Sequence, residues 1–415
     1  MTGSRAGHPA GRTDLVEADI LVVGGGMVGL TLAAAVAGAG LTAVVVDRAD
    51  PATWAETGFD GRVSAIAHAS QRLLAAVGIW SRLAEAQPIL DIRVSDGDSP
   101  LHLHYDHREL GDAPLGYMVE NRLLRLALLT AAGDQPGVTL RAPETIAELT
   151  AAGAGVEARL AGGGHVRARL AVAADGRDSP TREAAGIRTV GWRYDQSGIV
   201  CTVAHERPHH GLAYEHFLPP GPFAVLPMTG DRSSLVWTER TGTAAAIMAL
   251  DDDAFRAEMA ARFGDRLGRL EVVGPRWSYP LALHHAERYI GRRLALVGDA
   301  AHLMHPIAGQ GLNMGLRDVA ALAEVVADAA RLGIDIGQAD LLERYQRWRR
   351  FENTLLLAVT DGLNRLFSND VAPLRLGRSL GLAAVDRLPP VKRFFMRHAC
   401  GTVGKLPRLL EGRPL

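Results

Sequence analysis

The patterned part of the chain begins with a nearly continuous apolar run at 18–24, with Ile20-Leu21-Val22-Val23 at its centre. Such a run, lacking polar alternation, predicts a parallel strand buried on both faces. Glycines follow, then an Ala-rich, Pro-free stretch from Leu30 to Ala39 that predicts a helix closed by Gly40. A second apolar run, Leu41 to Val46, ends in Asp47 and predicts the next strand. The fold therefore starts as a strand, glycine turn, helix and strand. Ser64 to Leu83 reads as mainly helical, and Asn121 to Ala132 as a Leu-rich helix.

From Val138 the pattern shifts to short strands. Val156–Leu160 and His165–Leu170 flank Gly162-Gly163-Gly164, a hairpin signal. Ala171–Ala174 reads as a central strand ending at Asp175-Gly176. Between 190 and 285, runs such as Phe223-Ala224-Val225-Leu226 and Ser234-Leu235-Val236-Trp237 alternate with one helix near 251–263, which predicts a mostly antiparallel second domain. Arg293 to Val297 returns the chain to a buried strand, and helices fill most of 310–367.

Composition narrows the function classes. The chain has 415 residues, 47% hydrophobic, with a formal charge of −1, so bulk electrostatics exclude a nucleic-acid partner. Cys201 and Cys400 are too few for a disulfide framework, and no metal site is expected. Residues 1–15 hold Arg5 and Arg12 but no apolar core, so they read as a disordered tail, with a cytoplasmic location expected. No run reaches the roughly 20 apolar residues of a membrane-spanning helix.

Gly24, Gly26 and Gly29 fit G-x-G-x-x-G between a strand and a helix. The first glycine permits the tight turn, the second a close approach of backbone to pyrophosphate, and the third close helix packing. Free N–H groups at the helix start would face the phosphates. Asp47 stands 23 positions after Gly24, at a strand end where a carboxylate accepts from ribose hydroxyls. The competing reading is a structural turn in an Ala/Gly-rich chain. The strand, helix and acid in register favour the nucleotide, without separating NAD from FAD.

Two further segments carry that distinction. Ala174-Asp175-Gly176-Arg177-Asp178-Ser179-Pro180-Thr181-Arg182 and Gly298-Asp299-Ala300-Ala301-His302 each place a carboxylate at a strand end. The second runs on through His305-Pro306-Ile307-Ala308-Gly309-Gln310-Gly311-Leu312-Asn313-Met314-Gly315 to Asp318. A carboxylate there would accept hydrogen bonds from the sugar-alcohol chain of a flavin. A helix start after Gly309 would face the electron-rich edge of its ring. With Asp60 to Ala65, Tyr117 to Asn121, Gly221 to Pro227 and Val236-Trp237-Thr238, these segments resemble the aromatic flavin monooxygenases of the p-hydroxybenzoate hydroxylase type. Within them the chain is most similar to the ubiquinone-biosynthesis hydroxylases. The likeness covers nearly everything after residue 17.

The resemblance implies an α/β fold: a Rossmann-like FAD-binding domain over 17–189 and 286–368, a smaller, mostly antiparallel substrate domain over 190–285, and a basic helical tail over 369–415. Gly24, Gly26, Gly29 and Asp47 would hold the ADP half of FAD. Arg62 and Asn121 would touch the phosphate or ribityl region, and Asp175 would be structural or near the nicotinamide route. Asp299 would bind ribityl or ribose, while Pro306, Gly309, Gln310, Gly311, Leu312 and Asn313 would line the ring. No second dinucleotide fingerprint is visible, so NAD(P)H would dock transiently as co-substrate. The implied reaction is hydroxylation of a polyprenylated phenol by O2 through a flavin C4a-hydroperoxide, with the chemistry on the cofactor and no catalytic side chain nominated.

His302 and His305 read as packing or capping residues. Tyr214, Phe217, Phe223 and Trp237 are substrate-contact candidates for which core packing is the stronger reading. From Val371 to Leu415, nine Lys or Arg face only Asp386 and Glu411, a net +7 that reads as a surface drawn to anionic lipid at the inner membrane. A ubiquinone-biosynthesis complex is a further expected partner. The alternatives are an FAD-dependent isoprenoid reductase or oxidase and a non-catalytic flavoprotein subunit.

Overall fold

The computed structural model describes residues 15–53 and 58–415, so the tail expected over 1–15 lies, Leu15 apart, outside the described residues. Leu15–Val23 is the centre of the first sheet because it pairs in parallel on both edges, with His165–Ala173 and with Ala43–Val46. Val138–Arg141 and Leu294–Leu296 extend the sheet outwards, again in parallel. Strands covered this way leave water entirely, and Ile20, Leu21, Val22, Val44 and Val45 are buried. Helix Met27–Gly38 presents Ala33, Ala34 and Ala35 to its neighbours, and these small side chains let helices Asn121–Asp134 and Gly311–Arg331 pack closely on it. The C-terminal turn Arg408–Glu411 comes back to this core through Leu409 and Leu410.

The second sheet runs in the order 302–303, 270–286, 189–205, 232–240, 221–228, 212–218, 91–96, 102–106. Its pairings are antiparallel except that between 212–218 and 91–96. Two of its strands thus come from 91–106, well before the main run. One face packs Cys201, Phe223, Val225, Leu235 and Trp237 beneath helices Thr241–Met248 and Asp252–Phe263. The other, inner face carries Ala213 and Leu226 against Val63, Ala65, Ile89 and Met118. Val63 and Ala65 belong to a small third sheet formed by 63–67, 116–120 and 87–89.

Three local expectations change. The stretch expected to be helical from Ser64 starts as strand Val63–Ala67, and its helix covers only His68–Ala76. The hairpin around Gly163 forms, but its second arm and the expected central strand are one strand, His165–Ala173, antiparallel to 155–160 at one end and parallel to 15–23 along its length. The single helix near 251–263 is preceded by a second one, Thr241–Met248. Beyond helix Ala339–Phe367 the tail forms helices Ala372–Arg387 and Pro389–Ala399. Among the described residues, no helix is long and apolar enough to cross a membrane.

Candidate active site

The first strand delivers Gly24 into a conformation that only glycine adopts freely, φ +106°. A Cβ there would lie 2.4 Å from the Ala174 carbonyl oxygen, so the end of strand 165–173 closes against this turn. At Gly29 a Cβ would come within 1.9 Å of the Gly24 oxygen, which locks the helix onto its own loop. Gly26 is different: nothing lies within 4 Å of a Cβ built there. It begins helix Met27–Gly38, and no side chain caps that end. Bare amides at an uncapped helix start, facing open space, suit an anion. Asp47 sits at the end of the second strand and accepts from the Gly25 amide at 2.5 Å and from Ala49 at 2.7 Å. Its carboxylate thereby fixes the loop.

Some 270 residues later in the chain, the return segment lands on the same spot. Gly298, φ +60°, faces Val28 of the glycine loop, and a Cβ on Gly315 would stand 2.8 Å from Val28 and 3.2 Å from Gly298 Cα. Arg182, of the Asp175 segment, donates to the Ala300 oxygen at 3.2 Å and to the Arg177 oxygen at 2.9 Å. The three segments therefore meet around one place. Asp299 leaves the strand end with its side chain open to solvent, while its surroundings are crowded with protein. The protein packed closely about it displaces enough water to raise its carboxyl above the ordinary value all the same, against the opposing pull of His302, Arg177 and His284. An acid held this way lacks partners that a ligand hydroxyl would supply.

The turn at 307–309 puts Gly309 at φ +61°, with Ala65 Cβ 3.0 Å from a Cβ built on it. Helix Gly311–Arg331 then starts without a side-chain cap, and the space above Gly311 is open. Asn313 donates to the Ala65 oxygen at 2.9 Å and accepts from the Ala67 amide at 2.9 Å. Its side chain stitches the turn to strand 63–67 and leaves the backbone to face the cleft. Pro306, Gly309, Gln310 and Leu312 are half-buried around it, and Gln310 reaches the Ala399 oxygen of the tail at 3.5 Å.

The remaining candidates are held in separate local networks. Arg62 bonds Asp60 through its amide at 2.9 Å and its Nε at 2.7 Å, with its guanidinium 5.6 Å from the Trp277 ring. Asn121 accepts from Ser64 Oγ at 2.7 Å, and its amide donates to the Arg62 oxygen at 3.0 Å. These two residues are therefore neighbours. Asp175 accepts from Ser179 Oγ and, at 3.1 Å, from the Thr181 amide, which shapes the turn into helix Pro180–Ala184. Phe223 and Trp237 pack 5.8 Å apart in the helix-covered face of the second sheet, with Tyr214 at its margin. Phe217 is on the inner face, stacked 4.1 Å from Phe367.

One cluster escaped the sequence reading. Beneath the Gly298 turn, fully buried Asp318 lies 2.5 Å from His302 Nε2 and accepts from Arg349 Nε at 2.9 Å, Asn353 at 3.1 Å and the Gly298 amide at 3.1 Å. Burial alone would push this carboxyl up, but His302 and Arg349 outweigh it and hold it at about 2. His302 is thus a structural partner. His305 is buried edge-on to Tyr194 at 5.3 Å, and burial pushes its imidazole down to about 4. No sequence spacing links Asp318 to Arg349; only its place in the motif marks the aspartate.

A cradle of open glycine amides, two uncapped helix starts and an accessible acid between them fit a flavin dinucleotide. Comparison with known proteins agrees. The FAD binding domain family matches residues 17–357. Ubiquinone hydroxylase UbiL of Rhodospirillum rubrum is 57% identical, over 100% of this chain and 99% of its own. The 3-demethoxyubiquinol 3-hydroxylase of Escherichia coli is 37% identical over 92% of this chain and 98% of its own. Among solved structures, p-nitrophenol 4-monooxygenase PnpA from Pseudomonas putida shares the fold, with a TM-score of 0.78 over 94% of this chain and 99% of that one at 20% identity.

Proposed function

The chain belongs to the FAD-dependent hydroxylase family of ubiquinone biosynthesis, and from that premise we propose that it uses NAD(P)H and O2 to hydroxylate the ring of a polyprenylated phenol on that pathway. The observation that carries the reading is the meeting of Gly298 and Gly315 with Val28, which brings the two distant glycine segments to one cleft. FAD supplies the redox and oxygen chemistry when bound. Gly24, Gly26, Gly29 and Asp47 would hold its ADP half, and Asp299 would accept from its sugar-alcohol chain. The amides that start helix Gly311–Arg331 would place positive potential at the ring edge. Arg62 and Asn121 would close the rim, with Asp175 holding the turn beside it. The inner face of the second sheet would roof the cleft and keep water from the reacting ring.

Turnover under isotopically labelled O2 tests the reading. One labelled oxygen atom per product molecule is expected. Conversion of substrate without label would replace the hydroxylase by a reductase or oxidase.

A polyprenyl substrate resides in lipid, and the C-terminal helices would bring the cleft to it. Helix Ala339–Phe367 exposes Phe351, Leu355, Val359 and Leu363 at four-residue spacing, one apolar stripe along its length. Phe394 and Phe395 on the last helix are 53% and 42% exposed. The basic charge of the tail is less available than its count implies. Arg378 binds Asp96, Lys392 binds Glu109, and Arg408 binds Glu324 and Asp328. Arg387, Arg393 and Arg397 have no ion pair among the described residues, and two of them flank the Phe394-Phe395 pair. An anionic bilayer surface is the occupant that suits apolar side chains ringed by free arginines. In vesicle flotation with anionic lipid, Phe394→Ser/Phe395→Ser should lose binding about tenfold or more, since about 1.5–3 kcal/mol goes with each large apolar side chain buried. Unchanged flotation would remove this docking face.

A further inference from the structure

Strand Leu212–Leu218 alternates across the second sheet. Tyr214 and His216 face the helix-covered side, where Tyr214 joins its apolar cluster and His216 Nδ1 pairs with Ser95 Oγ at 2.8 Å. Ala213, Glu215 and Phe217 face inward. Ala213 touches the cluster that contains Ala65, the residue under the Gly309 turn, and Phe217 stacks on Phe367. Glu215 stands between them, in the middle of the roof over the proposed ring site. Its cross-strand neighbours are Val94 on one side and Ala224 on the other. The nearest acid on this face of the adjacent strand, Asp96, is already satisfied by Arg378 through two 3.0 Å bonds. The Glu215 side chain makes no hydrogen bond or ion pair among the described residues. It is a half-buried acid set in an apolar surface, on the sheet face that carries Ala213 and Phe217.

We propose that Glu215 receives the ring hydroxyl of the phenol substrate, orienting the ring and taking up its proton as the ring is hydroxylated. This rests on the hydroxylase reading above. Oxygen transfer to an aromatic carbon needs an electron-rich ring, and loss of the hydroxyl proton to a neighbouring base raises that density. The proton moves from the ring oxygen to a Glu215 oxygen and leaves a ring carbonyl once the adjacent carbon has gained oxygen. It returns to that carbonyl oxygen as the carbon loses its hydrogen to water as a proton, so aromaticity is restored and Glu215 is reset. Burial pushes the Glu215 carboxyl up to about 7, which makes it a better match for a phenol, ordinarily near 10, than a solvated carboxylate would be.

Glu215→Gln keeps the shape and removes the proton acceptor. In the FAD-loaded enzyme with a short-chain prenylated phenol, it should lower the hydroxylation kcat about 10²-fold, the usual contribution of a positioned base. Flavin content should be unchanged, and NAD(P)H consumption should outrun product, the difference appearing as hydrogen peroxide. Melting temperature should hold or rise, because the replaced acid has no partner to lose. The decisive comparison uses the O-methyl ether of the same phenol. For wild type the ether should lose as much as the substitution does, and the variant should lose nothing more on the ether. Equal kcat and coupling in Glu215→Gln, or losses that multiply, would overturn the assignment. A wild type that incorporates no labelled oxygen would instead sink the hydroxylase reading itself, so the two failures are told apart.

Discussion

Asp299→Ala is expected to give a folded protein that has lost its yellow colour. Crowding raises the Asp299 carboxyl above the ordinary carboxylate value, so the folded chain gains nothing from this charge. A group whose folded value is raised costs stability at neutral pH, and truncating it should leave melting of the flavin-free protein unchanged or slightly improved. With FAD present the balance reverses. Two hydrogen bonds from sugar hydroxyls to a carboxylate stabilise by about 1.5–3 kcal/mol each, so their loss weakens binding roughly 10²–10⁴-fold. Gel-filtered Asp299→Ala should retain a small fraction of the flavin held by wild type, at matched far-ultraviolet circular dichroism. A fully yellow variant with an unaltered flavin spectrum would remove the role.

The legibility of this site in the sequence follows the distance over which each signal acts. The glycine loop and the Gly298–Asp318 segment are local signals, because the backbone itself is the recognition element. At Gly24 and Gly29 a Cβ would strike the chain's own carbonyls, so the residue type is forced by geometry within the motif. Strand Val63–Ala67 was illegible for the opposite reason. Ala65, Ile66 and Ala67 suit a helix as well as a strand, and the decision is made by pairing with 116–120 and by the two bonds exchanged with Asn313, nearly 250 positions away. The same holds for 91–96, whose pairing in parallel with 212–218 spans over a hundred positions and leaves no periodic mark of its own. Charge behaves likewise. The tail reads as a free cation cluster, yet the partners of Arg378, Lys392 and Arg408 are scattered over distant stretches of the sequence. Glu215 was hidden as well: Tyr-Glu-His-Phe looks like any half-exposed strand until the fold shows which side is covered.

Asp318 should behave in the reverse sense to Asp299, although only 19 positions separate them. Its carboxyl is held near 2 in the folded protein against an ordinary 3.8, a gap worth roughly 2 kcal/mol of stability. Because the folded value is depressed, this stabilisation is fully present above pH ~4 and is lost as pH falls from there through about 2. Asp318→Asn preserves size but withdraws the charge from Arg349, which is buried and bonded to Asp318, Asn353 and Glu352. Breaking such a buried pair by removing one partner costs about 3–5 kcal/mol, more than the carboxyl's own gap, because Arg349 is left undercompensated in the interior. We expect the melting temperature of Asp318→Asn to fall by on the order of 5–10 °C at pH 7, and the difference from wild type to shrink below pH ~4. The Gly298 amide also loses a charged acceptor, so the turn that presents Asp299 loosens and flavin affinity drops with it. Flavin loss without any loss of thermal stability would show that Asp318 serves the cofactor directly, and the division between one acid that holds the fold and one that awaits a ligand would fail.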